Sequence, residues 1–369
     1  MQNIIIDSAL MSNIKLMKRI YRFLKRISTK ICICVIDAIL YIYEMTASVF
    51  DRRIRIRFTN IWDTFYKVKR HDWFIKAIGH KYSFGKSDKK YSFRIVKRYK
   101  PQIEFFSVFG DKRKLNDSKA QIKIFYTGEN VDETSISSAF QQYQGNCIDS
   151  VDLSLGFNYI DADNYIRLPN WATWCFLPDF SKDEIKNILD NSKKQYQKMK
   201  FCALLARHDT SGLRTKIYND VSKIASVDCP GKLLHNDDTL HSIYKNDNLT
   251  YLQQYKFNIC PENSIGEGYC TEKLFNCLLS GCIPIYNGWS KNPEPDIINP
   301  NIILWYESKD LENNKHTLSE IKKLYETEKL YRSFIEQPFF CDTAVDKIYD
   351  TLNKLSEKTR DIMISKKVF

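Results

Sequence analysis

Residues 255–287 read YKFNICPENSIGEGYCTEKLFNCLLSGCIPIYN, and this stretch decides the fold. Residues 255–260 are apolar and β-forming, so they read as a strand that stops at Pro261. A loop with Gly266 and Gly268 follows. Thr271 can cap a helix that runs to Gly281, and residues 283–286 form the next apolar strand. Strand, loop, helix and strand in this order make a parallel crossover unit. In an open α/β sheet, ligands bind beyond the carboxyl ends of the strands, where a helix N-terminus attracts anions. Lys273 puts a cation in the first helical turn, against the macrodipole, and a bound phosphate would account for it.

The same pattern recurs upstream. Residues 201–206 read as a strand, and Ser211 can cap a helix running to about Ala225 with Arg214 in its first turn. Two such cations in matching positions could grip a pyrophosphate, although each alone reads more simply as a solvated surface residue. Further strands are expected at 54–58, 103–109, 122–126, 151–157 and 302–305, and a helix at 343–358. The polar, helical stretch 182–200 reads as a linker between halves. Strands alternating with helices place the chain in the α/β class, as two units with largely parallel sheets.

The 369 residues suffice for two domains, and 22 Phe, 22 Tyr and 6 Trp exclude general disorder. The net charge of +12 is uneven: residues 1–100 carry 23 Lys/Arg and 7 Asp/Glu, and the rest of the chain is net acidic. A nucleic acid or an anionic membrane would each suit such a basic region. In residues 14–27, Met17, Ile20, Leu24 and Ile27 recur at helical spacing among Lys15, Lys18, Arg19, Arg22, Lys25 and Arg26. This predicts a helix lying on an anionic membrane or, equally, one packed on the protein itself. The apolar run after residue 30 is interrupted by Asp37 and followed by Glu44, which disfavours a membrane span. Eleven cysteines without a Cys-x-x-Cys pair read as buried free thiols in a reducing compartment.

PENSIGEGYCTEKLF resembles the donor-binding signature of the α-1,3-fucosyltransferases, glycosyltransferase family 10, with its Phe-Glu-Asn-Ser and Tyr-x-Thr-Glu-Lys elements. Weaker likeness extends through FYTGEN (125–130), VDLSLGF (151–157), YIRLP (165–169) and GLRTKIY (212–218), and IRIRFTNIWDTF (54–65) and FFSVFG (105–110) resemble bacterial members. Pro261 stands where the family usually has an aromatic residue, and Cys270 where an apolar one is common. The resemblance implies a GT-B architecture, two Rossmann-like domains facing a cleft, and inverting transfer of fucose from GDP-fucose to a glycan or lipid-linked oligosaccharide. No metal cofactor is obligatory on this reading, and a divalent ion is at most stimulatory. By position, Arg214 and Lys273 would contact the diphosphate, Glu272 the fucose hydroxyls, and Asn263 and Tyr269 would line the donor site. Glu129 would be the general base.

The expected organisation is a basic extension at 1–50, an acceptor domain at 51–195, a nucleotide-sugar domain at 196–340 and a helical tail at 341–369. The expected setting is the cytoplasmic face of a membrane, met through residues 14–30. Two rival readings are a GT-B transferase for another nucleotide sugar and a non-enzymatic nucleic-acid-binding protein. The second is disfavoured, because the chain beyond residue 100 is acidic overall and carries no nucleic-acid motif. Asp161-Ala162-Asp163 could hold a metal in a different enzyme class, but reads more simply as a solvated turn.

Overall fold

Among the described residues, eleven strands form two sheets in which every strand pairing is parallel. The computed structural model describes residues 29–51, 53–61, 67–79, 93–132, 138–192, 198–309 and 311–368. The first sheet holds β1 (Ile54–Thr59), β2 (Phe93–Ile95), β3 (Ile103–Phe106), β4 (Ile122–Tyr126), β5 (Leu153–Gly156) and β6 (Tyr165–Arg167), in the order β2-β1-β3-β4-β5-β6. The second holds β7 (Lys200–Leu204), β8 (Val227–Asp228), β9 (Tyr255–Ile259), β10 (Ile283–Tyr286) and β11 (Leu304–Trp305), in the order β11-β10-β9-β7-β8. Helices cover both faces of such sheets, and β3, β5 and β10 are wholly buried, the one charge among them, Glu104 of β3, being paired with Arg57 of β1.

Both sheets follow one doubly wound plan. In each, the second strand lies on one side of the first and the third on the other. This opens a crevice between β1 and β3 in one sheet and between β7 and β9 in the other.

The helix Glu272–Leu279 starts at the Thr271 cap, as the sequence predicts. It ends before Gly281, whose φ of 72° suits a residue without a side chain; a Cβ there would also lie 2.9 Å from the Ser192 carbonyl. The expected linker at 182–200 is instead, in part, a packed helix, Lys182–Asn191. A reciprocal Ser181–Glu184 capping box starts it, and Ile185 and Leu189 are buried beneath a polar outer face.

The C-terminal helix, Ala344–Ser365, outruns the expected 343–358 and buries Ile348, Leu352, Leu355 and Met363. Thr343 donates to the Asp296 carbonyl on the second-sheet side. At its far end, Lys366 reaches Asp152 at 2.5 Å, and Gln102 donates to the Val368 carbonyl. The helix therefore straddles both halves. The core is continuous between them too: Trp171 stacks on Phe275 with ring centroids 4.5 Å apart.

The basic stripe at 14–27 lies outside the described residues. The apolar run after it belongs to one helix, Thr29–Phe50. Among the described residues the cysteines are free, and most are buried.

Candidate active site

The residues named from sequence meet where the carboxyl ends of β4, β7 and β9 face one another. On the second sheet, the loop after β7 leads into the helix Leu213–Val221. Ser211 was the expected cap. The Asp209 carboxylate does this work instead, accepting from the amides of Arg214 at 3.3 Å and Thr215 at 2.8 Å. Ser211 Oγ reaches only the Leu213 amide, at 3.4 Å. The left-handed Gly212 between them turns the chain so that the more distant residue faces the helix start.

Arg214 is 8% exposed, and its guanidinium donates to the His208 carbonyl and to Asn263 Oδ1. Burial lowers its pKa below the ordinary arginine value, against the opposing pull of Asp209, Glu262, Tyr269 and Glu272.

After β9, backbone bonds from Cys260 and Glu262 to Ile285 and Asn287 carry the ladder past the strand end. Glu262 then turns inward. One carboxylate oxygen accepts from the Thr271 amide at 2.8 Å, and the other from the Thr271 hydroxyl at 2.6 Å. Lys273 Nζ lies 3.4 Å from that second oxygen and 3.1 Å from Thr271 Oγ1. Burial pushes the Glu262 carboxyl up, although Lys273 and Thr271 oppose it. Burial alone would lower Lys273; Glu262, Glu272 and Glu129 outweigh that and hold the ammonium above the ordinary lysine value. Glu262 was not among the sequence candidates, though it sits inside the PENS signature.

Tyr269 is buried, with its ring edge-on to Phe157 at 4.9 Å. Gly268, at φ 80°, lets this loop approach the first half: a Cβ there would come within 2.5 Å of the Phe157 carbonyl. Arg167 of β6 clamps the contact. It pairs with buried Glu294 at 2.7 Å, and also donates to the carbonyls of Phe157 and Gly268. Trp171 Nε1 donates to the same Glu294 carboxylate.

Glu129 follows β4 in a turn tied by Thr127, whose hydroxyl bonds both the amide and the carbonyl of Glu129 at 3.0 Å. Its carboxylate acts through space on Tyr269 and Lys273 of the other half. Two hydrogen bonds cross the cleft beside it: Asn130 to Ser264 at 3.2 Å, and Asn170 to Glu272 at 3.5 Å. All six candidates, Glu129, Arg214, Asn263, Tyr269, Glu272 and Lys273, thus converge. A cavity of about 110 Å³ opens here, lined by Arg214, Pro261, Glu272 and Lys273 among others. Two cations in one wall suit a diphosphate, and a carboxylate in the opposite wall can take a proton. Asp161 and Asp163 sit on an exposed turn between β5 and β6.

The family model described as glycosyltransferase family 10 (fucosyltransferase) C-term matches residues 192–343, and that of the alpha-(1,3)-fucosyltransferase FucT N-terminal domain matches residues 56–174. Alpha-(1,3)-fucosyltransferase FucT of Helicobacter pylori is 28% identical over 257 residues, covering 62% of this chain and 49% of its own. Alpha-(1,3)-fucosyltransferase B of Drosophila melanogaster is 30% identical over 183 residues, covering 46% and 40%. The chain thus spans half or less of the length of the curated relatives it matches. A crystal structure of an alpha1,3-fucosyltransferase with GDP-fucose aligns with a TM-score of 0.53 at 21% identity, covering 83% of this chain and 90% of that one. Two paired parallel sheets and matched segments on both sides of the cleft lead to one assignment: the chain has the GT-B architecture and belongs to glycosyltransferase family 10, the fucosyltransferase family.

Proposed function

We propose that the protein is an inverting α-1,3-fucosyltransferase that moves L-fucose from GDP-fucose to a glycan hydroxyl, on GlcNAc or glucose. One observation carries this reading: Arg214 and Lys273 line one cavity of the second half, and the Glu129 carboxylate of the first half lies near enough to act on Lys273. The acceptor oxygen bonds to the anomeric carbon as the bond from that carbon to the diphosphate oxygen breaks. Glu129 takes the hydroxyl proton, and GDP leaves with the bonding electrons. Arg214 and Lys273 offset the charge that builds on the leaving diphosphate. Both cations are held by protein acceptors, Arg214 by Asn263 and the His208 carbonyl, and Lys273 by Glu262 and Thr271. Glu272 holds fucose hydroxyls, and Asn263 and Tyr269 line the donor pocket. With two fixed cations on the diphosphate, the reading needs no metal ion.

Calorimetric titration with GDP and with UDP, each with and without a chelator, tests this. GDP should bind, UDP should bind much more weakly, and the chelator should change neither. Tight UDP binding that requires a divalent ion would overturn the reading. The acceptor glycan, free or lipid-linked, would be met at the cytoplasmic face of a membrane.

A further inference from the structure

The helix Thr29–Phe50 is long and apolar enough to cross a membrane, yet its two acids are engaged elsewhere. Asp37, Tyr41 and Glu44 fall on one stripe at helical spacing. Glu44 is 7% exposed and accepts from three successive backbone amides, Lys97 at 2.9 Å, Arg98 at 2.8 Å and Tyr99 at 2.7 Å. Asp37 pairs with Arg98 at 2.6 Å, and the Tyr41 ring meets Tyr99 edge-on at 5.4 Å. One stripe of the helix is therefore fastened to the loop after β2.

Among the described residues nothing covers the opposite face, which is apolar apart from Thr46. Val35, Ile42 and Val49 recur every seventh residue there, with Tyr43 and Phe50 beside them, and all five are exposed, Phe50 to 89%. Exposed Lys97 and Lys100 stand on the loop that holds the helix, while Arg98 there is paired with Asp37 and Arg53, just past the helix end, with Asp51. The sequence before residue 31 adds seven Lys/Arg against one Asp.

We infer that the helix Thr29–Phe50 lies flat in the interface of an anionic bilayer, with Val35, Ile42, Tyr43, Val49 and Phe50 in the acyl boundary and the protein body hung from the Asp37–Tyr41–Glu44 stripe. An apolar face on a helix whose preceding sequence and holding loop are basic fits that environment, where acyl chains take the face and anionic headgroups take the charge. A span is a poorer fit. It would draw Glu44 off three backbone amides and carry two carboxylates into hydrocarbon. This inference goes beyond the transfer reaction and does not depend on the donor sugar.

The test is flotation of the full chain with phosphatidylcholine vesicles, with and without phosphatidylserine. The wild-type chain should float with the anionic vesicles. The triple variant Ile42→Ser, Val49→Ser, Phe50→Ser should bind them at least about 100-fold more weakly, because three apolar side chains lose their burial. Its melting temperature and GDP affinity should stay at wild-type values, since the three positions touch neither the core nor the cleft. Alkaline carbonate should strip the wild-type chain from the vesicles. Absence of flotation, equal flotation of the triple variant, or resistance to carbonate as in a spanning protein would each overturn the inference. So would a dimer that the triple variant dissolves without any vesicle binding. Failure to bind GDP would count against the proposed reaction and leave the flotation result standing.

Discussion

The two walls of the cleft are built differently. The second-sheet wall is dense and braced from within: Glu262 holds the Thr271 cap and sits beside Lys273, while Asp209 caps the helix that carries Arg214. The first-sheet wall offers Glu129 on a short turn that Thr127 closes and that Asn130 ties across the cleft to Ser264. A wall that must hold a fixed diphosphate can be rigid and charged. A wall that receives a variable glycan needs only one well-placed carboxylate on a loop. On the proposed reading the difference would separate donor binding from chemistry, so substitutions in the two walls should leave different signatures.

Glu129→Gln should show the largest effect. It keeps the shape and removes the proton acceptor, so turnover should fall by roughly 10²–10⁴-fold. GDP affinity and melting temperature should not move. Near-normal turnover would shift the base to another acid in the cleft, and a joint loss of stability would make Glu129 a structural residue.

Lys273→Ala and Arg214→Ala come next, on the other wall. Each removes a charged hydrogen-bond donor worth about 1.5–3 kcal/mol, so titration calorimetry should show GDP binding about 10- to 150-fold weaker. Binding of a neutral acceptor analogue should be unchanged. Equal losses for GDP and acceptor would erase the distinction between the walls.

Asp209→Ala should have the smallest of the three effects, about 0.5–2 kcal/mol in denaturant unfolding, with Ser211→Ala within about 0.5 kcal/mol. Burial alone would raise the Asp209 carboxyl. The amides of Thr215 and Arg214, the Thr215 hydroxyl and the Arg214 charge outweigh it and hold the carboxyl below its ordinary value. Its stabilisation is therefore complete above the unfolded carboxylate pKa, about 3.9, and is lost as pH falls through the lower folded value. The gap between wild type and Asp209→Ala should be full near neutral pH and close in acid. A larger effect from Ser211→Ala would restore the serine as the cap.

Much of this plan was legible in the chain because buried parallel strands are continuous apolar runs. The strands at 122–126 and 283–286 fall where their apolar runs predict them. Two of the edge strands were not legible, whereas the edge strand Leu304–Trp305 falls inside the expected 302–305. Phe93-Arg94-Ile95 is half-exposed and Val227-Asp228 is two residues long, so neither shows the apolar run that marks an inner strand. The helix Leu311–Glu326 is mostly polar, and its apolar stripe, Leu318, Ile321, Leu324 and Tyr325, begins only midway along it. At the site, the six side chains could be named from a signature, but their supports could not. Glu262 is recognisable only once the loop folds back onto Thr271. Asp209 and Ser211 are both able caps, and the backbone at Gly212 chooses between them. The contacts that cross the cleft join residues far apart in the chain, 134 positions for Asn130 and Ser264, and local pattern carries no trace of them.

The straddling helix Ala344–Ser365 sets an order of events during synthesis. The last strand of the first sheet, Tyr165–Arg167, is made about 200 residues before the helix that covers that half is finished. At about 5–20 residues per second, the ribosome needs on the order of 10–40 s to close that interval. The half that is translated first is therefore completed last, and its apolar flank waits, uncovered, on the nascent chain.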